Sequence, residues 1–131
     1  MKYKWTFEVC PVAASRPRIG KHGAYYTGSY KEFRKLAVSE VWRQIGEDFI
    51  PLEGPLNVSI QCCVTRPKNT KLQYPRGDVD NFIKSCLDAG NGRIWLDDTQ
   101  VVRIQATKEW TSSNDVKGYF TVDVENAEAP A

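Results

Sequence analysis

The sequence predicts one small α+β domain, a mixed sheet covered on one face by two main helices. Three observations predict it. Short stretches alternate apolar and polar residues with the period of a half-buried strand, two stretches repeat apolar residues with the period of a helix, and no internal repeat or linker divides the 131 residues. A chain of this length buries roughly two-thirds of its unfolded surface, enough for a single core.

The first strand is expected where Tyr3, Trp5, Phe7 and Val9 alternate with Lys2, Lys4, Thr6 and Glu8. Residues 11–28 carry Pro, Gly, Ser and basic residues without period and read as a long loop or irregular hairpin. Ser29 and Glu32 have the spacing of a capping box. Phe33, Leu36, Ala37, Val41, Gln44 and Ile45 then recur at near-helical spacing up to Gly46, which can close the helix. In the next strand Leu56, Val58, Ile60, Cys62 and Val64 face inward, while Asn57, Ser59, Gln61, Cys63 and Thr65 form a polar face. Val79, Phe82, Ile83, Cys86 and Leu87 mark a short amphipathic helix ended by Gly90-Asn91-Gly92. A short apolar run, residues 94–96, leads to Asp97-Asp98. Two more strands follow, one with Val102, Ile104 and Ala106 inward and one with Phe120, Val122 and Val124. The domain is thus expected over residues 1–125, with a loose tail over 126–131.

Composition excludes several classes. Charged residues interrupt the start of the chain, so no secretory signal is expected there, and no stretch approaches the roughly 20 apolar residues of a membrane span. Cys10, Cys62, Cys63 and Cys86 lack CxxC spacing, which suits a reduced, cytoplasmic protein. The single histidine, His22, removes most histidine-base chemistry and His-rich zinc sites.

Net charge is only +2, but its arrangement is uneven. No acid lies between Glu8 and Glu32, where Arg16, Arg18, Lys21 and Lys31 stand, nor between Glu53 and Asp78, where Arg66, Lys68, Lys71 and Arg76 stand. Five acids then fall from Asp78 to Asp98. Basic loops beside an acidic cluster suit a polyanion held near bound cations; the plainer alternative is that the basic residues only solvate two loops.

Within residues 76–102, Asp78 and Asp80 flank Val79 at the start of the second helix, close enough in sequence for their carboxylates to converge. Lys84 lies one turn on from Asp80, and Asp97-Asp98 follows at short range. Oxygen-only ligands without His or Cys suit Mg²⁺, or Mn²⁺ in its place. Each part also has a structural alternative. Asp78 or Asp80 can cap the helix, Lys84 can pair with Asp80 or Asp88, and Asp97-Asp98 can be a turn dipeptide.

This stretch resembles the RusA family of Holliday junction resolvases, crossover junction endodeoxyribonucleases, in its phage and prophage type. The likeness is carried by Arg76, Asp78, Asp80, Asn81, Lys84 and Asp88, then by Trp95-Leu96-Asp97-Asp98-x-Gln100-Val101-Val102, with Arg16-Pro17-Arg18 and Tyr26-Thr27 earlier. It extends over about residues 7–108. The resemblance implies an α+β, Mg²⁺-dependent endonuclease of bacterial or phage DNA recombination and repair, acting as a homodimer on four-way junctions. It makes Asp78, Asp80 and Asp98 the catalytic and metal-binding carboxylates and Lys84 the catalytic lysine. Arg16, Arg18, Lys68, Lys71 and Arg76 are then the candidates for flanking DNA phosphates. One departure stands out: Gly77 occupies the place where some members carry a further arginine. The rival readings are a non-catalytic branched-DNA-binding module, a degenerate, inactive family member, against which the intact carboxylate-plus-lysine set argues, and, at this length poorly accommodated, a DxD glycosyltransferase.

Overall fold

A computed structural model describes residues 1–15, 18–25 and 28–127. The elements run β1 (Lys2–Phe7), β2 (Arg18–Gly20), β3 (Gly23–Tyr25), α1 (Gly28–Ile45), β4 (Leu56–Val64), α2 (Val79–Gly90), a 3-10 turn (Asp98–Gln100), β5 (Val101–Trp110) and β6 (Tyr119–Asn126). The α+β expectation holds. Four strands form one sheet in the order β1-β6-β4-β5, and β2-β3 form a small separate hairpin within the long loop. Three strands pair antiparallel, whereas β4 and β5 run parallel, so the sheet is mixed. A parallel pair needs a crossover, and α2 supplies it.

Register explains the core. Pairing sets Tyr3, Trp5 and Phe7 of β1 beside Val124, Val122 and Phe120 of β6, and these beside Val58, Ile60 and Cys62 of β4. This face packs against Tyr30, Phe33, Ala37 and Val41 of α1 and Phe82, Cys86 and Ala89 of α2. The inward side of α2 is built largely from small residues, Ser85, Cys86, Ala89 and Gly90. A Cβ on Gly90 would come within 2.8 Å of the fully buried Trp95 ring, so the absent side chain is what admits the indole. The opposite face of the sheet carries no helix and presents Thr6, Gln61, Gln105 and Glu109.

Several expectations shift. Helix α1 begins at Gly28, so Ser29 lies inside the first turn instead of ahead of it. Leu36 is half exposed and Gln44 points outward, donating Nε2 to Thr6 O at 2.9 Å, because the stripe that meets the sheet is narrower than the apolar stripe in the sequence. Gly46 closes the helix as expected, with φ +81° and its N–H on Trp42 O. Cys63 does sit on the face opposite Cys62, yet it is buried, because β4 is an inner strand with neighbours on both sides. Val102 is exposed: the register slips between Leu56 and Asn57, so Leu56 meets Val101 while Asn57 meets Arg103. Val79 and Leu96 are likewise exposed ends of otherwise buried runs. Asn126 still belongs to β6, and Ala127 N donates to Pro55 O, so ordered pairing reaches into the expected tail; residues 128–131 lie outside the described residues.

Candidate active site

The loop between β4 and α2 delivers Asp78, and β5 holds that loop. Trp110 Nε1 donates to Leu72 O at 2.9 Å, and Lys108 Nζ donates to Pro75 O at 2.9 Å and Gly77 O at 2.6 Å. The Lys108 ammonium also lies 5.2 Å from the centroid of the Tyr74 ring. Gly77 has φ +100°, and a Cβ there would lie 3.0 Å from Ala13 Cβ and 3.2 Å from the Phe82 ring. Both its backbone angle and its surroundings therefore require glycine, which accounts for the missing arginine side chain. Across the same turn, Ala14 N donates to Asn81 O at 2.9 Å.

Asp78 is the N-cap of α2 in extended geometry, its carbonyl accepting from Asn81 N and Phe82 N, but its carboxylate makes no capping hydrogen bond. The helix end therefore uses the backbone of Asp78 and leaves the side chain available. Asp80 is exposed within the first turn, and both carboxylates stand where the helix dipole favours negative charge.

Further along α2, Lys84 Nζ is 3.0 Å from Asp88 Oδ1 and 4.0 Å from Asp98 Oδ2. Of the two partners open to it, Lys84 takes Asp88. The hydrogen bond that Lys84 donates to Asp88, with the nearby Asp88 and Asp98 charges assisting, raises the Lys84 pKa. Asp97 has a different task. It caps the 3-10 turn, accepting from Thr99 N at 3.1 Å while Gln100 Oε1 accepts from Asp97 N at 2.9 Å. The Thr99 hydrogen bond lowers its pKa. Gln100 in turn donates to Leu52 O and Gly54 O, which fixes the turn to the chain ahead of β4.

Asp78, at the start of α2, and Asp98, beside Lys84, thus stand at two levels along that helix. Six residues separate Asp78 from Lys84, beside which Asp98 stands, a rise of roughly 9 Å. Among the described residues, no three His, Cys, Asp or Glu side chains form a group that could hold a metal ion. The donor chemistry itself, exposed carboxylates without nitrogen or sulfur, fits a hard divalent cation. Lys68, Lys71 and Arg76 are exposed on the loop that leads to Asp78. Arg16 and the side chain of Arg18 lie outside the described residues.

Sequence reasoning missed Lys108 and Trp110. Both continue the inward-facing set of β5 after Ile104 and Ala106, pairing with Cys62 and Val64. A lysine on the core-facing parity of a strand is the signal, since an ammonium there needs acceptors.

Residues 8–117 match the family model described as Endodeoxyribonuclease RusA. The chain belongs to the RusA family. No individual curated protein matches it. Membership makes this RusA protein an enzyme, a Holliday-junction-resolving endonuclease whose substrate is branched DNA. The RusA match spans every element discussed above except β1 and β6. Among the described residues, no helix is long and apolar enough to cross a membrane.

Proposed function

We propose that this RusA protein is a Mg²⁺-dependent homodimer that resolves four-way junctions by paired, symmetric phosphodiester cleavage. The observation that carries the reading is the pair of exposed carboxylates, Asp78 and Asp80, at the start of α2, with Lys84 further along the same helix and Asp98 of the 3-10 turn beside it. Asp78, Asp80 and Asp98 would hold the divalent cation, Mg²⁺ or in substitution Mn²⁺. When bound, that ion lowers the pKa of water and offsets charge on phosphate oxygens.

The chain's own residues do the rest. Lys84 stays protonated, restrains Asp98 and offers positive charge to the scissile phosphate. Lys68, Lys71 and Arg76, with Arg16 and Arg18, hold flanking phosphates, which makes binding salt-dependent. One carboxylate set per chain and two cuts per junction call for two copies related by a two-fold axis. The four cysteines are unbonded, which suits a reducing cytoplasm in a bacterial host.

The rival is a family member that binds branched DNA without cutting it, which the separation of the carboxylates and the Lys84–Asp88 ion pair would suit. A synthetic four-way junction incubated with Mg²⁺, and in parallel with EDTA, separates the two. Symmetric nicks with Mg²⁺ alone support the resolvase; retarded but uncut junction in both would leave only the non-cutting member.

A further inference from the structure

A cleft of about 520 Å³ opens where the segment after β1 faces the loop between β4 and α2, at the Asp78 end of the helix. Its walls include Val12, Pro67, Leu72, Pro75 and Trp110, and the exposed Arg76 borders it immediately before Gly77 and Asp78. We propose that this cleft receives one unstacked nucleobase of the DNA substrate, with the adjoining phosphate on Arg76. The inference rests on the reading of Asp78 as part of a DNA-cutting site.

The occupant follows from the chemistry of the walls. Proline and indole rings suit a flat aromatic guest. The indole of Trp110 is held by its hydrogen bond to Leu72 O, so the surface is already formed. Among the described residues, the cleft has one cationic side chain and no acid, a match for a single nucleotide with its apolar base and anionic backbone. Of the two hydroxyls that line it, Thr65 Oγ1 accepts from Gly118 N at 2.7 Å and donates to Cys10 Sγ at 3.6 Å, while Thr70 Oγ1 accepts from Leu72 N at 3.2 Å and keeps its own proton to donate. The cleft therefore offers mainly stacking surface, with little base-edge readout. A branch point is also where stacking is already interrupted, so lifting a base there costs least. A second depression, on the opposite face of the sheet, balances Asp123 and Glu125 with Lys2 and Arg103, so it has no net positive charge for a phosphate backbone.

The test is a binding cycle in EDTA, read by fluorescence anisotropy. An intact four-way junction is compared with one carrying abasic nucleotides at the branch. The full-length protein should bind the intact junction about tenfold more tightly. Thr70→Trp, which fills the cleft, should bind both equally, at the abasic level. Leu72→Trp closes the same cleft from its exposed rim and gives the answer if the first variant melts early. A protein that binds both junctions alike, or filled variants that keep the preference, would overturn the base site. Because cleavage is excluded from the assay, a preference seen in a protein that never cuts with Mg²⁺ would sink the resolvase reading and leave the base site standing.

Discussion

Lys108 Nζ donates to Gly77 O at 2.6 Å, joining the edge strand β5 to the peptide immediately ahead of Asp78. With its second bond to Pro75 O, one ammonium fixes two carbonyls of the loop that aims the first carboxylate.

Replacing it should therefore harm catalysis through geometry. Lys108→Ala should lower the single-turnover rate on the order of tenfold or more, with the junction KM little changed. The melt should fall by about 2 kcal/mol for the lost charged hydrogen bonds. Lys108→Arg should recover part of the rate. A variant that melts earlier but cuts at full speed would show Lys108 to be merely structural.

Gly77→Ala tests the same hinge from the other side. A left-handed φ and a Cβ contact of 3.0 Å with Ala13 should together cost about 1 kcal/mol or more. Chemical denaturation measures this, and an unchanged midpoint would refute the requirement for glycine.

The carboxylates should divide by task. Asp78→Asn, Asp80→Asn and Asp98→Asn should each abolish Mg²⁺-dependent cutting while junction binding persists or tightens. Asp97→Asn should retain most activity, since asparagine also caps. Because the folded-state pKa of Asp97 is depressed, its stabilising share is present above about pH 4 and is lost as pH falls through the lower folded value. Asp97→Ala should then flatten the acid limb of the melting profile, and an unaltered limb would exclude that role.

Lys84→Ala should slow cleavage on the order of a hundredfold with little effect on binding. Its ion pair is largely exposed, so stability should fall by less than about 1 kcal/mol. The raised pKa places that small contribution at full strength below about pH 10 and removes it as pH climbs through the folded value. Single-turnover rates and a melt of the same variant decide whether Lys84 acts on the phosphate or only on Asp88.

Light scattering at low micromolar concentration should find a dimer. Trp95 is fully buried in the core, and Trp110 is tied to the loop between β4 and α2. Trp42 stays half exposed beneath the Arg93 guanidinium, 4.2 Å from its ring. A monomer that still makes symmetric paired nicks would defeat the two-copy requirement.

Much of the fold was legible because its periods are unmixed. The alternation in β4 and the small inward residues of α2 state their faces directly, and the elements fall close to where the pattern puts them. Val102 was not legible, since the slip opposite Leu56 is a tertiary event that leaves no mark on the local pattern. Cys63 was misjudged for a related reason: a face can lack helices and still be shielded by neighbouring strands. At the site, residue types and spacing point to Asp78, Asp80, Lys84 and the Asp97-Asp98 pair, and the family resemblance singles out Asp98, but neither says how far apart the ends of that set stand. Asp97 and Asp98 look equivalent in sequence, and only the turn they enter separates a cap from a carboxylate facing Lys84.

The small inner side of α2 has a consequence for how the enzyme fails. A helix seated on Ser85, Cys86, Ala89 and Gly90 lies close against its strand, with Cys86 Sγ 3.7 Å from Cys62 Sγ and the Trp95 ring wedged at its far end. Nothing in that contact can compress, so the helix cannot roll or slide to reposition its acidic start without parting from the sheet. The acidic start of α2 is thus wired to the most protected part of the molecule, not to a loop that opens by itself. Heat should leave no intermediate stage of folded but inactive protein: the temperature at which cutting stops and the temperature at which the core melts should be one and the same.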